Sequence, residues 1–140
     1  MKNIPKFKTE MIAPCGINCV TCMAYLRDKN KCPGCRADDE NKSKSVINCK
    51  IRNCNELTDK NLKYCCECSM YPCSKINHID KRYKTKYFMS MIENLDNIKN
   101  QGIKKFMKNE KIRWTCTQCG GIICVHRGYC YNCKKIYFNK

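Results

Sequence analysis

The residues able to do chemistry in this chain are its cysteines, sixteen among 140 residues. They run Cys15-x3-Cys19-x2-Cys22, Cys32-x2-Cys35, Cys49-x4-Cys54, Cys65-Cys66-x-Cys68-x4-Cys73, Cys116-x2-Cys119 and Cys130-x2-Cys133. A C-x-x-C pair sets two thiolates around one tetrahedral ion, with the amides of the knuckle turned toward the sulfurs. Several such pairs in one short chain point to bound metal. A disulfide framework is the competing scaffold, but it needs an oxidising compartment. The opening stretch, Met1 to Glu10, has no apolar h-region. It therefore reads as lacking a signal peptide, and the expected location is cytoplasmic. No apolar run reaches membrane-spanning length, so no membrane partner is expected.

The spacing predicts about three zinc ions per chain. The expected groups are Cys19, Cys22, Cys32 and Cys35; then Cys49, Cys54, Cys65 and Cys68; then Cys116, Cys119, Cys130 and Cys133. Cys15 and Cys73 are further candidate ligands, able to displace a member of the first two groups. Cys66 reads as a buried or spare thiol. Four thiolates also suit iron, so an iron–sulfur or thiol redox protein is the alternative. Cys15-x3-Cys19-x2-Cys22 has the spacing of the radical-SAM motif. That chemistry needs a large partial barrel and a Gly-rich cofactor strand, and the chain offers neither. Cys32-Pro33-Gly34-Cys35 could be a redox dithiol. With no thioredoxin-like βαβ pattern around it, a metal knuckle is the stronger reading.

Other catalytic signatures are missing. There is no H-E-x-x-H, G-x-S-x-G or Walker loop. His78 is followed by Ile79 and Asp80, which breaks the zinc-deaminase pattern. All-cysteine sites are usually closed and structural, so the sequence leans away from an enzyme. His78 reads as a surface or helix-end residue. His126 could replace a cysteine in the terminal site, but four better-spaced cysteines are present.

Composition supports a metal scaffold. Val, Ile, Leu and Phe are few, and 29% of residues are charged. So thin a core seldom holds a fold alone, and metal binding would supply folding free energy. The formal charge is +16. Three four-thiolate zinc centres, each with a net charge of −2, would lower it to about +10. The chain stays basic, which makes nucleic acid the leading large partner and another protein the second. Lys81-Arg82-Tyr83-Lys84-Thr85-Lys86-Tyr87-Phe88 interleaves bases with aromatics, as phosphate contact with base stacking would require. The plainer reading is a solvated basic helix with its aromatics tucked inward.

Three segments must position these residues: 11–75, rich in cysteine; 76–115, helical; and 116–140, a zinc-ribbon-like knuckle. In the first, Cys19, Val20, Cys22, Met23 and Leu26 fit one face of a short helix. Ala37 to Ser45 reads as an exposed polar loop. In the second, Phe88, Met91, Ile92, Leu95 and Ile98 follow helical periodicity. Ser90 and Glu93 form a capping box, and Gly102 is the stop. Ile103, Phe106, Met107 and Glu110 predict another helix toward Trp114. In the third, Ile122 to Val125 and Tyr129 are expected to pair as a hairpin turning at Arg127-Gly128. The fold class is a small metal-stabilised α+β protein, mostly short helices and loops, with a C-terminal zinc-ribbon-like hairpin.

The string Pro14-Cys15-Gly16-Ile17-Asn18-Cys19-Val20-Thr21-Cys22-Met23-Ala24-Tyr25, then Cys32-Pro33-Gly34-Cys35-Arg36, resembles the cysteine-rich family catalogued as domain of unknown function 3795. Cys49, Cys54, Tyr64-Cys65, Glu67-Cys68 and Tyr71-Pro72-Cys73 look like its second half. The resemblance covers residues 11–75 or so and implies a zinc-binding domain without an assigned activity. Cys66 departs from the pattern, where an aromatic residue is usual. The terminal ribbon lies outside it.

Overall fold

A computed structural model of the chain describes residues 6–37, 39 and 42–138. Among the described residues there are six α-helices: α1 (Met23–Leu26), α2 (Lys44–Ile47), α3 (Asn55–Asp59), α4 (Ser74–Tyr87), α5 (Met91–Gln101) and α6 (Ile103–Trp114). Short 3-10 turns lie at Thr9–Met11, Cys19–Thr21 and Cys65–Glu67. The protein is mostly helices and loops, as the sequence predicts.

The long helices follow the periodicity. α5 starts at Ser90, whose hydroxyl accepts the Glu93 amide at 3.0 Å. The same hydroxyl donates to Asp80 of α4 at 2.6 Å, and Asp80 also accepts the Ile92 amide at 3.1 Å. A tertiary carboxylate thus joins the cap. Gly102 ends α5 at φ 87, a left-handed angle that favours glycine. Phe88 departs from expectation. It is the left-handed C-cap of α4, at φ 54, and is 52% exposed rather than on the apolar face of α5. The expected helix over Cys19 to Leu26 is broken in two. Cys22 is extended (φ −75, ψ 135) between the 3-10 turn and α1. Part of the expected loop, residues 38, 40 and 41, lies outside the described residues. The remainder ends in α2, capped by Ser43.

One buried cluster draws on all three segments, from Met11 and Ile12 to Cys130. α5 packs against α4, α6 and the turn at Cys65–Glu67. Its face presents Met91, Leu95 and Ile98. Gly16 lies against this helix, and a Cβ there would sit 3.0 Å from Leu95 Cγ and 3.2 Å from the Met91 carbonyl. Asn94 Nδ2 donates to the Gly16 carbonyl at 3.0 Å, which fixes the cysteine-rich segment on the helical one.

The terminal hairpin is not formed as expected. Among its described residues the terminal segment has only isolated antiparallel bridges, Thr115 to Ile122, Ile123 to Cys130 and Tyr129 to Ile136. The physical reason is length. The expected arms are unequal, four residues from Ile122 to Val125 against Tyr129 alone before Cys130, and an arm of one residue is too short for a ladder. The chain still doubles back near the expected place, with the Gly128 amide on the Cys124 carbonyl at 2.9 Å.

Candidate metal centre

The two terminal knuckles meet. Cys116, Cys119, Cys130 and Cys133 bring their sulfurs within 4.8 Å of one another. Cys116 and Cys133 sulfurs are 3.6 Å apart, and those of Cys119 and Cys130 are 3.5 Å apart. A tetrahedral ion with metal–sulfur bonds of about 2.3 Å needs sulfur–sulfur edges of about 3.8 Å. The donor set therefore fits a thiolate-loving metal. This expected group is assembled as the spacing anticipates.

Hydrogen bonds aim at the sulfurs from the surrounding chain. The Gly121 amide donates to Cys119 at 3.3 Å and the Cys133 amide to Cys130 at 3.5 Å. Asn132 Nδ2 donates to Cys119 at 3.4 Å, and the Tyr137 hydroxyl to Cys116 at 3.2 Å. Such donors favour the thiolate. Burial pushes the Cys116 thiol up, but Tyr137 and the Cys119 and Gln118 amides outweigh it and bring it down to about 6. Asn132, with the Gly121 amide, lowers Cys119. Burial raises Cys130 to about 12, so metal binding there must release a proton. Gly121 is required by space: a Cβ would meet Asn132 Cβ at 2.7 Å and the Cys130 sulfur at 3.0 Å.

His126 takes no part in this group. Its Nδ1 accepts the Met23 amide at 3.3 Å, and its Nε2 meets the Tyr83 hydroxyl at 2.9 Å. It joins the terminal segment to α1 and α4. The Val125 amide adds a bond to the Thr21 carbonyl at 2.9 Å. Tyr83 and Tyr87 both pack edge-on against the His126 ring. Tyr83 and Tyr87 of the basic stretch thus turn inward, while Lys81, Arg82, Lys84, Lys86 and Phe88 are exposed. For Tyr83 and Tyr87 this is the arrangement that the plainer reading of the stretch expects.

The cysteines of the first segment are arranged differently. No three of them bring their sulfurs within 4.8 Å of one another. From the first expected group, Cys19 and Cys35 hydrogen-bond, and the Cys35 amide donates to the Cys19 sulfur at 3.4 Å. Cys19 rises mainly through this bond. Cys35 falls to about 7 through the same bond, helped by Lys42, Arg52 and Arg36. Cys22 is raised to about 11 by burial first, with Cys35 and Cys32 within electrostatic reach. Cys15 is raised by burial and lies in reach of Cys35, Cys49 and Cys65. From the second expected group, Cys54, Cys65 and Cys68 line one cavity together with Cys73. Cys49 instead borders a groove with Lys50, His78 and Arg82. Cys66 is buried on the other side of its turn, beside Tyr71, Ile98 and Lys99. Cys124 is wholly buried.

Glu110 escaped the sequence reading as anything but a helix position. It is 3% exposed, accepts Trp114 Nε1 at 3.2 Å and faces Asn18 Nδ2 at 3.5 Å. Burial raises its carboxyl to about 7. Its only sequence signal was its place on the apolar face of α6, one turn from Met107 and one from Trp114.

The fold and this site define a cysteine-rich, helix-dominated protein with a four-thiol group suited to metal. Residues 11–78 match the family model described as Protein of unknown function (DUF3795), which bears out the resemblance read from the cysteine string. The match ends in the first turn of α4, so the four-thiol group at 116–133 lies beyond it. No curated protein and no solved structure matches the chain. Among the described residues no helix is long and apolar enough to cross a membrane.

Proposed function

We propose that this protein is a cytoplasmic, zinc-stabilised binding module whose thiolate centres are structural and whose partner is nucleic acid. The observation that carries the metal reading is the convergence of Cys116, Cys119, Cys130 and Cys133 within 4.8 Å. Four sulfurs close the coordination sphere and leave no position for substrate, which favours scaffold over catalysis. Reduced thiols in this number suit a reducing compartment.

The nucleic-acid reading is supported by the placement of cations. α4 exposes Lys81, Arg82, Lys84 and Lys86, and α6 exposes Lys104, Lys105, Lys108, Lys111 and Arg113. With Tyr83 and Tyr87 engaged by His126, base stacking falls to Phe88. That ring stacks on Phe138 at 5.9 Å and is half exposed at the end of the basic helix.

Elemental analysis tests the first part: a colourless protein holding zinc supports it, and a brown one with iron and visible absorbance sinks it. Fluorescence anisotropy against single-stranded and duplex DNA and RNA tests the second. Affinity should fall steeply with salt. Replacing Lys81, Arg82, Lys84 and Lys86 with Gln should flatten the slope by about 0.9 per lost duplex phosphate contact. Phe88→Ala should weaken single strands more than duplex. Binding no tighter than that of a generic polycation at about 0.15 M salt removes nucleic acid and leaves a protein partner.

A further inference from the structure

Which of the eleven cysteines in the first segment share an ion is decided by the chain's path. Cys54, Cys65, Cys68 and Cys73 come from three separate stretches and surround one cavity of about 30 Å³, closed further by Leu57 and Ile76. We propose that these four thiols form a second metal centre, holding a single zinc-class ion, with Cys49 excluded from it. The choice of a zinc-class ion rests on the metal reading above; the grouping does not.

Three features support this grouping. The first is chemistry at the chain ends. Cys54 is the N-cap of α3, Cys73 the N-cap of α4, and Cys65 opens a 3-10 turn. Of these elements α4, at 14 residues, is long enough for its N-terminus to favour a thiolate, that of Cys73. Lys75 Nζ stands 3.7 Å from the Cys54 sulfur and offsets part of the negative charge that four thiolates would carry. The second is the knuckle. The Cys68 amide bonds the Cys65 carbonyl at 3.1 Å, which turns a C-x-x-C pair so that both residues border the same space. Electrostatically, Cys65 is within reach of Cys73, Cys54 and Cys68 at once, as well as of its neighbour Cys66.

The third feature is size. A cavity of 30 Å³ admits about two water-sized spheres. That is the scale of one ion, not of a four-iron, four-sulfur cluster. The four sulfurs do not all lie within 4.8 Å of one another, unlike the terminal four. Ion binding would therefore draw the 65–68 knuckle and the two N-caps inward. Cys49 borders the groove on the other side of α4's first turn, with Lys75, His78 and Arg82. Cys66, although adjacent in sequence, borders a different pocket with Ile98 and Lys99.

The test uses the full chain, loaded with cobalt under reducing conditions. Metal content is counted by native mass spectrometry, and the visible bands report the ligand set. Cys73→Ser should lose about one ion per chain relative to the parent, whereas Cys49→Ser should not. Cys73→His guards against simple misfolding. It should restore the ion and shift the cobalt bands from a four-sulfur to a three-sulfur, one-nitrogen pattern. A chain carrying Cys116→Ser and Cys133→Ser should retain the bands of this second centre. Loss of the ion in Cys49→Ser with full retention in Cys73→Ser overturns the grouping. So does a Cys73→His spectrum identical to the parent's. A wild-type chain that binds metal only through the terminal four overturns this centre and leaves the proposed function standing. A chain that binds none overturns both.

Discussion

The terminal segment and the cysteine-rich first segment use the same residue type in opposite ways. Between Cys116 and Cys133 two C-x-x-C knuckles face each other across a turn, and their four sulfurs converge within 4.8 Å. Between Cys15 and Cys73 eleven cysteines are spread over turns and helix caps, and no three converge to that distance. The terminal group closes through local bonds: Cys116 amide to Gly121, Tyr131 amide to Ile122 and Cys130 amide to Lys135. The first segment relies on long-range ties instead. Arg36 bonds the Ile12 and Lys63 carbonyls, Arg52 the Cys35 carbonyl, and the Cys65 amide the Pro14 carbonyl. A site closed by local bonds is preorganised. A site closed by distant ones depends on the whole fold and on the ion that completes it.

The widest test of this contrast is removal of metal. Chelation under reducing conditions should strip hydrogen-exchange protection from residues 11–73 and lower the melting temperature steeply. In zinc-finger peptides one structural site contributes roughly 10–16 kcal/mol at neutral pH. Protection that survives in 11–73 but not in 116–133 would show that the apolar core alone holds the first segment, and would break the comparison.

A narrower change sharpens the terminal half. Gly121→Ala places a methyl 3.0 Å from the Cys130 sulfur and 2.7 Å from Asn132 Cβ. It should weaken metal affinity at this centre by roughly 10–100-fold, as displacement of outer contacts does. Competition with a chromophoric chelator reads this. The count of ions bound in 11–73 should not change.

The link between the two halves is tested through Glu110, which bonds Trp114 on its own helix and faces Asn18 of the first segment. Burial raises its pKa from 4.5 to about 7; Arg113, Asn18 and Trp114 oppose the rise and Glu93 adds to it. For an acid raised on folding, the native state holds more protons than the unfolded one between these values. Stability from this residue is therefore full at low pH and declines as pH climbs toward 7. Glu110→Gln should remove that decline. At pH 8 the variant should melt higher than the parent, by the equivalent of about 1–3 kcal/mol. At pH 5 the two should coincide. Equal melting at both values would show that the carboxyl is not the source.

The smallest effect is expected from Tyr137→Phe, which deletes a hydroxyl that donates to the Cys116 sulfur at 3.2 Å and accepts the Thr117 amide at 3.0 Å. The cost should be about 0.5–1.5 kcal/mol. Zinc release on acidification should begin at a higher pH, because the donor that lowers the Cys116 thiol is gone. An unchanged release profile would assign Tyr137 to packing alone.

Short-range physics was legible in the sequence. The terminal four cysteines could be grouped because both knuckles lie within eighteen residues, and little chain freedom separates them. α5 and α6 could be drawn because an apolar stripe and a serine cap are properties of consecutive residues. The cysteine string from Pro14 to Cys73 was enough to point to the family whose model matches residues 11–78. Spacing carries no information, however, about elements that meet through space. Only the tertiary structure put Cys73, not Cys49, beside Cys54, Cys65 and Cys68, because Leu57 of α3 and Ile76 of α4 border the same cavity. It also supplied Asp80 as the second partner of Ser90, turned Tyr83 and Tyr87 onto His126, and buried Glu110 against Asn18, ninety-two residues away. In each case the deciding bond joins groups whose separation along the chain is set by packing, which no local pattern encodes.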